Sequence, residues 1–228
     1  MILAYHRINP WYSDDALSVT PASFSRHIDF LLSKGFSPLS LAKYIREGYP
    51  AKTFCISFDD GYADNFHFAW PILQKYRIRP IIFLSLHYIG TEKLLPRYHD
   101  KEKDRFLSWK EVQTLSREGV DFGSHGLTHP KLTSLDRKKI WIELFQSKKE
   151  LERNLGKKIE FFSYPFGDFN DAIANTVKNA GYTAAVVTSR ALKKPDPYRI
   201  PRVGIYGHNS FLVYRIKVWK TLFEKIFS

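Results

Sequence analysis

The sequence predicts an α/β protein: a distorted, TIM-like (β/α) barrel of about seven parallel strands, built as a single domain over residues 1–228. Three observations predict it. Short β-rich runs alternate with amphipathic helical patterns along the chain, which is the sequence form of repeated β/α units around a parallel sheet. The helical stretches carry recognisable start and stop signals. Ionisable residues gather just after the β-rich runs, and in a barrel the carboxyl ends of the strands share the face where sites are built.

The predicted strands are ILAY (2–5), TFCISF (53–58), PIIFLS (80–85), VDFGS (120–124), EFFSY (160–164), TAAVVT (183–188) and RVGIY (202–206). In the first helix, Thr20 is the cap ahead of Pro21, apolar residues follow at helical spacing from Phe24 to Leu32, and Gly35 closes the segment. Ser108 with Glu111 reads as a capping box, and Gly119 stops that helix. The longest helix is expected from Leu135 to Leu155, with Ile140, Leu144, Ser147 and Leu151 on one stripe and Gly156 past its end. Asn170 caps the next, which ends near Gly181. The polar stretch 87–107 is long enough to be an insertion, read either as a surface connection or as a lid that contacts substrate.

At 44% hydrophobic and 25% charged residues, the chain can bury one sizeable core. No apolar run reaches the roughly 18–20 residues of a membrane span, and the start MILAYHRINP carries neither a basic leader nor a cleavage site. The expectation is a soluble cytoplasmic protein. The lone Cys55, inside TFCISF, reads as a small buried side chain and excludes a disulfide scaffold. Lys and Arg total 35 against 23 Asp and Glu, a net charge of +12 that suits an anionic partner. The basic residues are dispersed without a zinc-finger or RNA-binding signature, so no nucleic-acid partner is expected.

Four sets of residues with chemical potential follow predicted strands: His6 after ILAY, Asp59 and Asp60 after TFCISF, His125 after VDFGS, and the Tyr164-Pro165-Phe166-Gly167 turn after EFFS. The fold therefore predicts that they converge. His125 and His129 lie four apart in GSHGLTHP, so one helical turn would place both imidazoles on one side, as a metal site needs. Structural histidines at this spacing are the alternative. Adjacent carboxylates at Asp59 and Asp60 repel one another, and a bound cation relieves that repulsion. Two histidines and one carboxylate leave coordination positions open, the form of a catalytic site. The alternative for Asp59-Asp60-Gly61 is a simple turn.

SFDDGYADN, GSHGLTHP and FFSYPFG, in this order and spacing, resemble the first three motifs of the polysaccharide deacetylase family, carbohydrate esterase family 4 or NodB homology domain. The resemblance covers nearly the whole chain. AYHRI and IPRVGI further resemble the branch that deacetylates poly-N-acetylglucosamine. The resemblance implies Asp59 as the base that activates water, Asp60, His125 and His129 as ligands of one divalent metal, and the Tyr164 N–H as an oxyanion donor. Zinc is the metal expected, with Co²⁺ or Ni²⁺ as alternatives.

Three departures stand out. Ser163 occupies the position of the motif arginine that orients the base; Arg202 in IPRVGI is the candidate replacement, against a solvated or structural role. TSRALKKPDPY has no counterpart of the fourth motif's Asp and Trp. The fifth motif's Leu-x-His general acid has only Tyr206-Gly207-His208 as an analogue, so His208 is one candidate and His6 its rival.

The expected function is metal-dependent hydrolysis of the acetamide of an N-acetylhexosamine, in a glycan or a lipid-linked precursor. The alternatives are a deacylase of a non-sugar amide and a carbohydrate-binding protein with a degenerate site. The terminal FLVYRIKVWKTLFEKIF is amphipathic, with Arg215, Lys217, Lys220 and Lys225 opposite its apolar face. It packs as the last barrel helix or lies on an anionic membrane surface, which would suit a lipid-linked sugar at the inner leaflet.

Overall fold

The computed structural model describes residues 1–12, 15–95, 100, 103–188 and 196–226, with side chains through Thr221. The elements in order are β1 (Ile2–Tyr5), β2 (Arg7–Ile8), β3 (Ser18–Val19), α1 (Pro21–Ser33), β4 (Ser37–Pro38), α2 (Leu41–Arg46), β5 (Thr53–Phe58), α3 (Trp70–Lys75), β6 (Ile81–Leu84), α4 (Trp109–Arg117), β7 (Asp121–Ser124), α5 (Arg137–Leu155), β8 (Phe161–Ser163), α6 (Asp171–Asn179), β9 (Ala184–Val187), β10 (Ile200–Pro201), β11 (Val203–Gly204) and α7 (Phe211–Ile226). The main sheet runs β10-β9-β8-β7-β6-β5-β1-β11, all pairings parallel, with β4 beside β5. β2 and β3 form a separate parallel pair.

The two ends of this strand order are consecutive in the chain. Ile200–Pro201 pair with β9, and Val203–Gly204 pair with β1. One short segment thus spans the seam of a nearly closed barrel, and Arg202 is the residue at the crossover. The expected strand 202–206 is corrected here to Val203–Gly204, with Ile200–Pro201 just before it as a separate two-residue strand; both are short because the chain changes partners at the seam.

Alternation along the buried strands sorts the core into two layers. Ile2, Cys55, Ile81, Phe83, Phe161, Ala184, Val186 and Ile200 fill the barrel interior, and Leu41 and Tyr44 of α2 join them. Leu3, Tyr5, Phe54, Ile56, Phe58, Ile82, Leu84, Phe162, Ala185 and Val187 belong to the cluster packed with the surrounding helices. Parallel strands buried on both faces read as continuous apolar runs, which is why ILAY and TFCISF were legible. Gly123 is required by this packing: a Cβ there would sit 2.5 Å from the Phe83 ring and 2.9 Å from the Phe161 carbonyl oxygen.

The helix signals act as expected. Thr20 accepts from the Ser23 N–H, Ser108 and Glu111 form a reciprocal capping box, and Asn170 accepts from the Ile173 N–H. α5 begins at Arg137 rather than Leu135, because the Asp136 side chain caps it through the Lys139 N–H, and Gly156 ends it in the left-handed region at φ 64°. Part of the polar 87–107 stretch, and most of the segment searched for the fourth motif, lie outside the described residues.

Candidate metal and catalytic site

At the carboxyl ends of the strands a cavity of about 180 Å³ is lined by His6, Leu17, Asp59, Asp60, His125, His129, Tyr164, Phe166, Gly167, Thr188 and Tyr206. Residues from β1, β5, β7 and β8 thus meet where barrel geometry predicts. Among the described residues six non-glycine residues have positive φ, and three of them, Asp60 (73°), His129 (59°) and Phe166 (59°), line this cavity. Such conformations cost free energy and persist where surrounding structure enforces them, a pattern concentrated at functional sites.

Asp60, His125 and His129 place one ligand atom each within 4.8 Å of one another. The His129 and His125 Nε2 atoms lie 3.1 and 3.5 Å from Asp60 Oδ1. A tetrahedral ion with ligands at its usual bond lengths has ligand atoms about 3.4 Å apart, so these separations suit a divalent metal. His125 Nδ1 lies 2.7 Å from the Ser163 carbonyl oxygen, which only accepts; Nδ1 therefore carries the proton and Nε2 presents a lone pair. Burial pushes the His125 imidazole down to about 4, so it is neutral near pH 7, as a ligand must be. Burial opposes the charge on Asp60, but the hydrogen bond and charge of His129 prevail and hold it well below the usual carboxylate range.

The two histidines do not share a helical turn, which corrects the sequence expectation. They stand in an irregular loop after β7 that turns through Gly126, at φ 82°. Glu143 of α5 shapes this loop. Its Oε2 accepts from the Leu127 N–H (2.7 Å) and the Thr128 N–H (3.0 Å), and its Oε1 accepts from the Thr128 hydroxyl at 2.6 Å. Both amides belong to residues between the histidines. Glu143 had a signal in the sequence: a carboxylate beside Leu144 on the buried stripe of an amphipathic helix.

Asp59 is 3% exposed and meets Arg202 in a bidentate pair, Nη1 to Oδ1 at 2.8 Å and Nη2 to Oδ2 at 2.6 Å. The same guanidinium donates to Ser57 Oγ, Ser163 Oγ and Thr188 Oγ1. Ser163 thus helps to receive an arginine delivered from the barrel seam. Burial would raise the Asp59 pKa, yet the Arg202 charge, His125 and the Arg202 hydrogen bonds outweigh it and hold the carboxylate below its ordinary value.

His6 lines the cavity, and its Nδ1 has no hydrogen-bond partner among the described residues. His208 is exposed and does not line it, stacking instead against Tyr206 at 5.7 Å between ring centroids. The loop after β11 carries Tyr206, not His208, into the wall. The Tyr164 hydroxyl donates to the Tyr198 carbonyl, and its N–H donates to the Val186 oxygen at 3.3 Å, a long bond. Phe166, 62% exposed, packs edgewise on His129 at the mouth.

Chemically, this arrangement combines an ionised buried carboxylate, a set of metal donors and a histidine with an uncommitted ring nitrogen. Residues 46–185 match the polysaccharide deacetylase family model. The poly-beta-1,6-N-acetyl-D-glucosamine N-deacetylase of Staphylococcus aureus is 27% identical over 225 residues, which cover 91% of this chain and 74% of that protein. Two solved structures share the fold: the Streptococcus pyogenes deacetylase PplD in complex with acetate (TM-score 0.80, 23% identity, 97% of this chain and 96% of that one) and IcaB from Ammonifex degensii (TM-score 0.79, 18% identity, 96% and 95%). The family match spans more than half of the sequence and contains the site from Asp59 to Tyr164, and the chain accordingly belongs to the polysaccharide deacetylase family of metal-dependent carbohydrate deacetylases.

Proposed function

We propose that this chain hydrolyses the acetamide of N-acetylglucosamine units in a glycan, releasing acetate and leaving a free amine on the sugar. The observation that carries this reading is that Asp59, held by Arg202 in a bidentate pair, lines one cavity with the Asp60, His125 and His129 donors. The name of the Staphylococcus aureus relative makes a β-1,6-linked N-acetylglucosamine polymer the first substrate to try.

Asp60, His125 and His129 would hold the metal, and zinc is favoured because two imidazoles and a carboxylate form a catalytic zinc donor set. When bound, the metal supplies Lewis acidity toward the acetamide carbonyl and acidifies water. Asp59 takes the proton from the attacking water; Arg202 fixes both of its oxygens and keeps it ionised. The water oxygen bonds to the acetyl carbon, and the Tyr164 N–H would exchange its long bond to the Val186 oxygen for one to the developing oxyanion. His6 then gives its proton to the departing nitrogen as the C–N bond breaks. His6 is preferred to His208 because it lines the cavity, and Phe166 at the mouth offers a face to a sugar ring.

The test pairs elemental analysis with acetate release from β-1,6-linked N-acetylglucosamine oligomers. About one metal per chain, lost in His125→Ala, with turnover in wild type only, is the expected result. Failure to take up metal after reloading, or turnover of simple amides with none of the oligomers, would overturn the reading. His6→Ala should slow turnover by roughly a hundredfold or more, while His208→Ala leaves it nearly unchanged.

A further inference from the structure

The outward face of α7 is not used by the catalytic site. The helix packs inward through Tyr214 and Val218, both fully buried, with Phe211 against the same core. The Tyr214 hydroxyl donates to the His27 carbonyl, and Lys217 folds back onto the Gly204 carbonyl and Asn209 Oδ1, each at 2.7 Å. On the opposite side Leu212, Ile216 and Trp219 recur at i, i+4 and i+7 and are 62%, 56% and 40% exposed. With 100° per residue, these three side chains form one narrow ridge pointing away from the barrel.

Charge decides what this ridge meets. Arg215 falls on one flank of it and Lys220 on the other, both exposed, and residues 211–221 contain no Asp or Glu. Arg26 of α1 adds a third cation beside the first turn, its guanidinium 3.8 Å from the Phe211 ring centroid. Two copies facing one another through residues 211–221 would set Arg215 and Lys220 against like charges, so a second copy is a poor occupant. An apolar ridge containing Trp, flanked by Arg and Lys, is instead the pattern of a helix lying in a lipid interface. No helix among the described residues is long and apolar enough to cross a membrane, so the contact is peripheral.

We propose that α7 docks the protein on an anionic lipid surface, with Leu212, Ile216 and Trp219 entering the headgroup region and Arg215 and Lys220 meeting lipid phosphates. A short loop joins Tyr206, on the cavity wall, to Phe211, so docking would bring the cavity near the lipid surface. The inference stands on the helix face and not on the reaction assigned to the cavity.

The test is flotation of the purified full chain with phosphatidylcholine vesicles and with vesicles containing phosphatidylglycerol. Retention on the anionic vesicles alone, weakened by salt, is expected. The triple variant L212S/I216S/W219S should lose retention by roughly tenfold or more, and the charge reversal R215E/K220E should do so as well. Melting temperature and acetate release on soluble oligomers serve as controls, and should the triple variant fail to fold, the charge reversal carries the test. No retention on anionic vesicles, equal retention on neutral ones, or retention unchanged in the folded variants would overturn the proposal. So would a concentration-dependent dimer that L212S/I216S/W219S abolishes, which would assign the ridge to a second copy.

Discussion

Arg202 grips Asp59 by both carboxylate oxygens, at 2.8 and 2.6 Å, across 143 positions of sequence. The pair is almost wholly buried, with side-chain exposures of 1% and 4%. An ion pair at such depth ties stability and reactivity together, since removing the cation leaves a desolvated carboxylate without the charge that chiefly offsets its burial.

Arg202→Ala should therefore destabilise the fold by about 3–5 kcal/mol. It should also lower kcat/KM by two orders of magnitude or more, because the base loses its orientation. The pH profile separates positioning from mere support. With Arg202 present, the Asp59 pKa lies below its ordinary value; without it, burial is less opposed and the pKa rises. The acidic limb of kcat/KM should move to higher pH in Arg202→Ala, and Arg202→Lys should recover part of that shift. An unmoved limb would remove Arg202 from the reaction.

Glu143 should govern metal retention. Its carboxylate accepts the Leu127 and Thr128 amides between the two histidine ligands. Glu143→Leu keeps much of the side-chain volume but frees both amides, so the loop loses its brace while α5 keeps its packing. Chelator competition should show metal affinity falling about 10–100-fold, the usual scale for groups that orient ligands. Thermal melts of the metal-free protein should fall by about 1–3 kcal/mol in stability. Unchanged metal affinity with the same loss of stability would make Glu143 purely structural.

The barrel was legible because its strands are buried on both faces and appear as bounded apolar runs; ILAY and TFCISF match β1 and β5 end to end. The convergence of Asp59, Asp60, His125 and Tyr164 followed from their places after strands. What sequence spacing could not convey is how loops turn. A gap of four suggested a helical turn for His125 and His129, whereas Gly126 and a positive φ at His129 form an irregular loop that Glu143 anchors from another element. The seam was hidden too: the expected strand 202–206 left out Ile200–Pro201, and only the pairing partners reveal that these two residues join β9 while Val203–Gly204 join β1. Tyr206 was passed over because no local pattern distinguishes a wall residue from its neighbour His208.

His27 should set part of the acid sensitivity of the fold. Its ring stacks on Tyr214 with centroids 3.8 Å apart, and burial pushes it down to about 4 from 6.5. A histidine with a depressed folded-state pKa takes up its proton more readily when unfolded. Stability is thus unaffected above pH 6.5 and declines as pH falls from 6.5 toward 4, with a slope approaching about 1.4 kcal/mol per pH unit. Urea titrations between pH 7 and 4.5 should show this decline, and His27→Phe, which retains an aromatic ring, should flatten it by one proton's worth. Equal slopes in the two proteins would mean that His27 remains protonated when buried.

Ser163 offers a test of whether the base-orienting guanidinium can be supplied from either strand. It is fully buried, and its Oγ accepts from Arg202 Nη2 at 2.8 Å. The motif that this segment resembles carries arginine at the same position, so a guanidinium from β8 and one from the seam would compete for one place beside Asp59. Ser163→Arg alone would bury two cations against one carboxylate and overfill the barrel, costing about 3 kcal/mol or more in stability. Adding Arg202→Ser removes both the repulsion and the excess volume. The double variant S163R/R202S should then melt above S163R and release acetate at least about tenfold faster than R202S, a non-additivity expected only of residues that share one site. Additive losses would mean that an arginine from β8 does not reach Asp59 in this barrel, and that the seam is the sole working origin for the guanidinium.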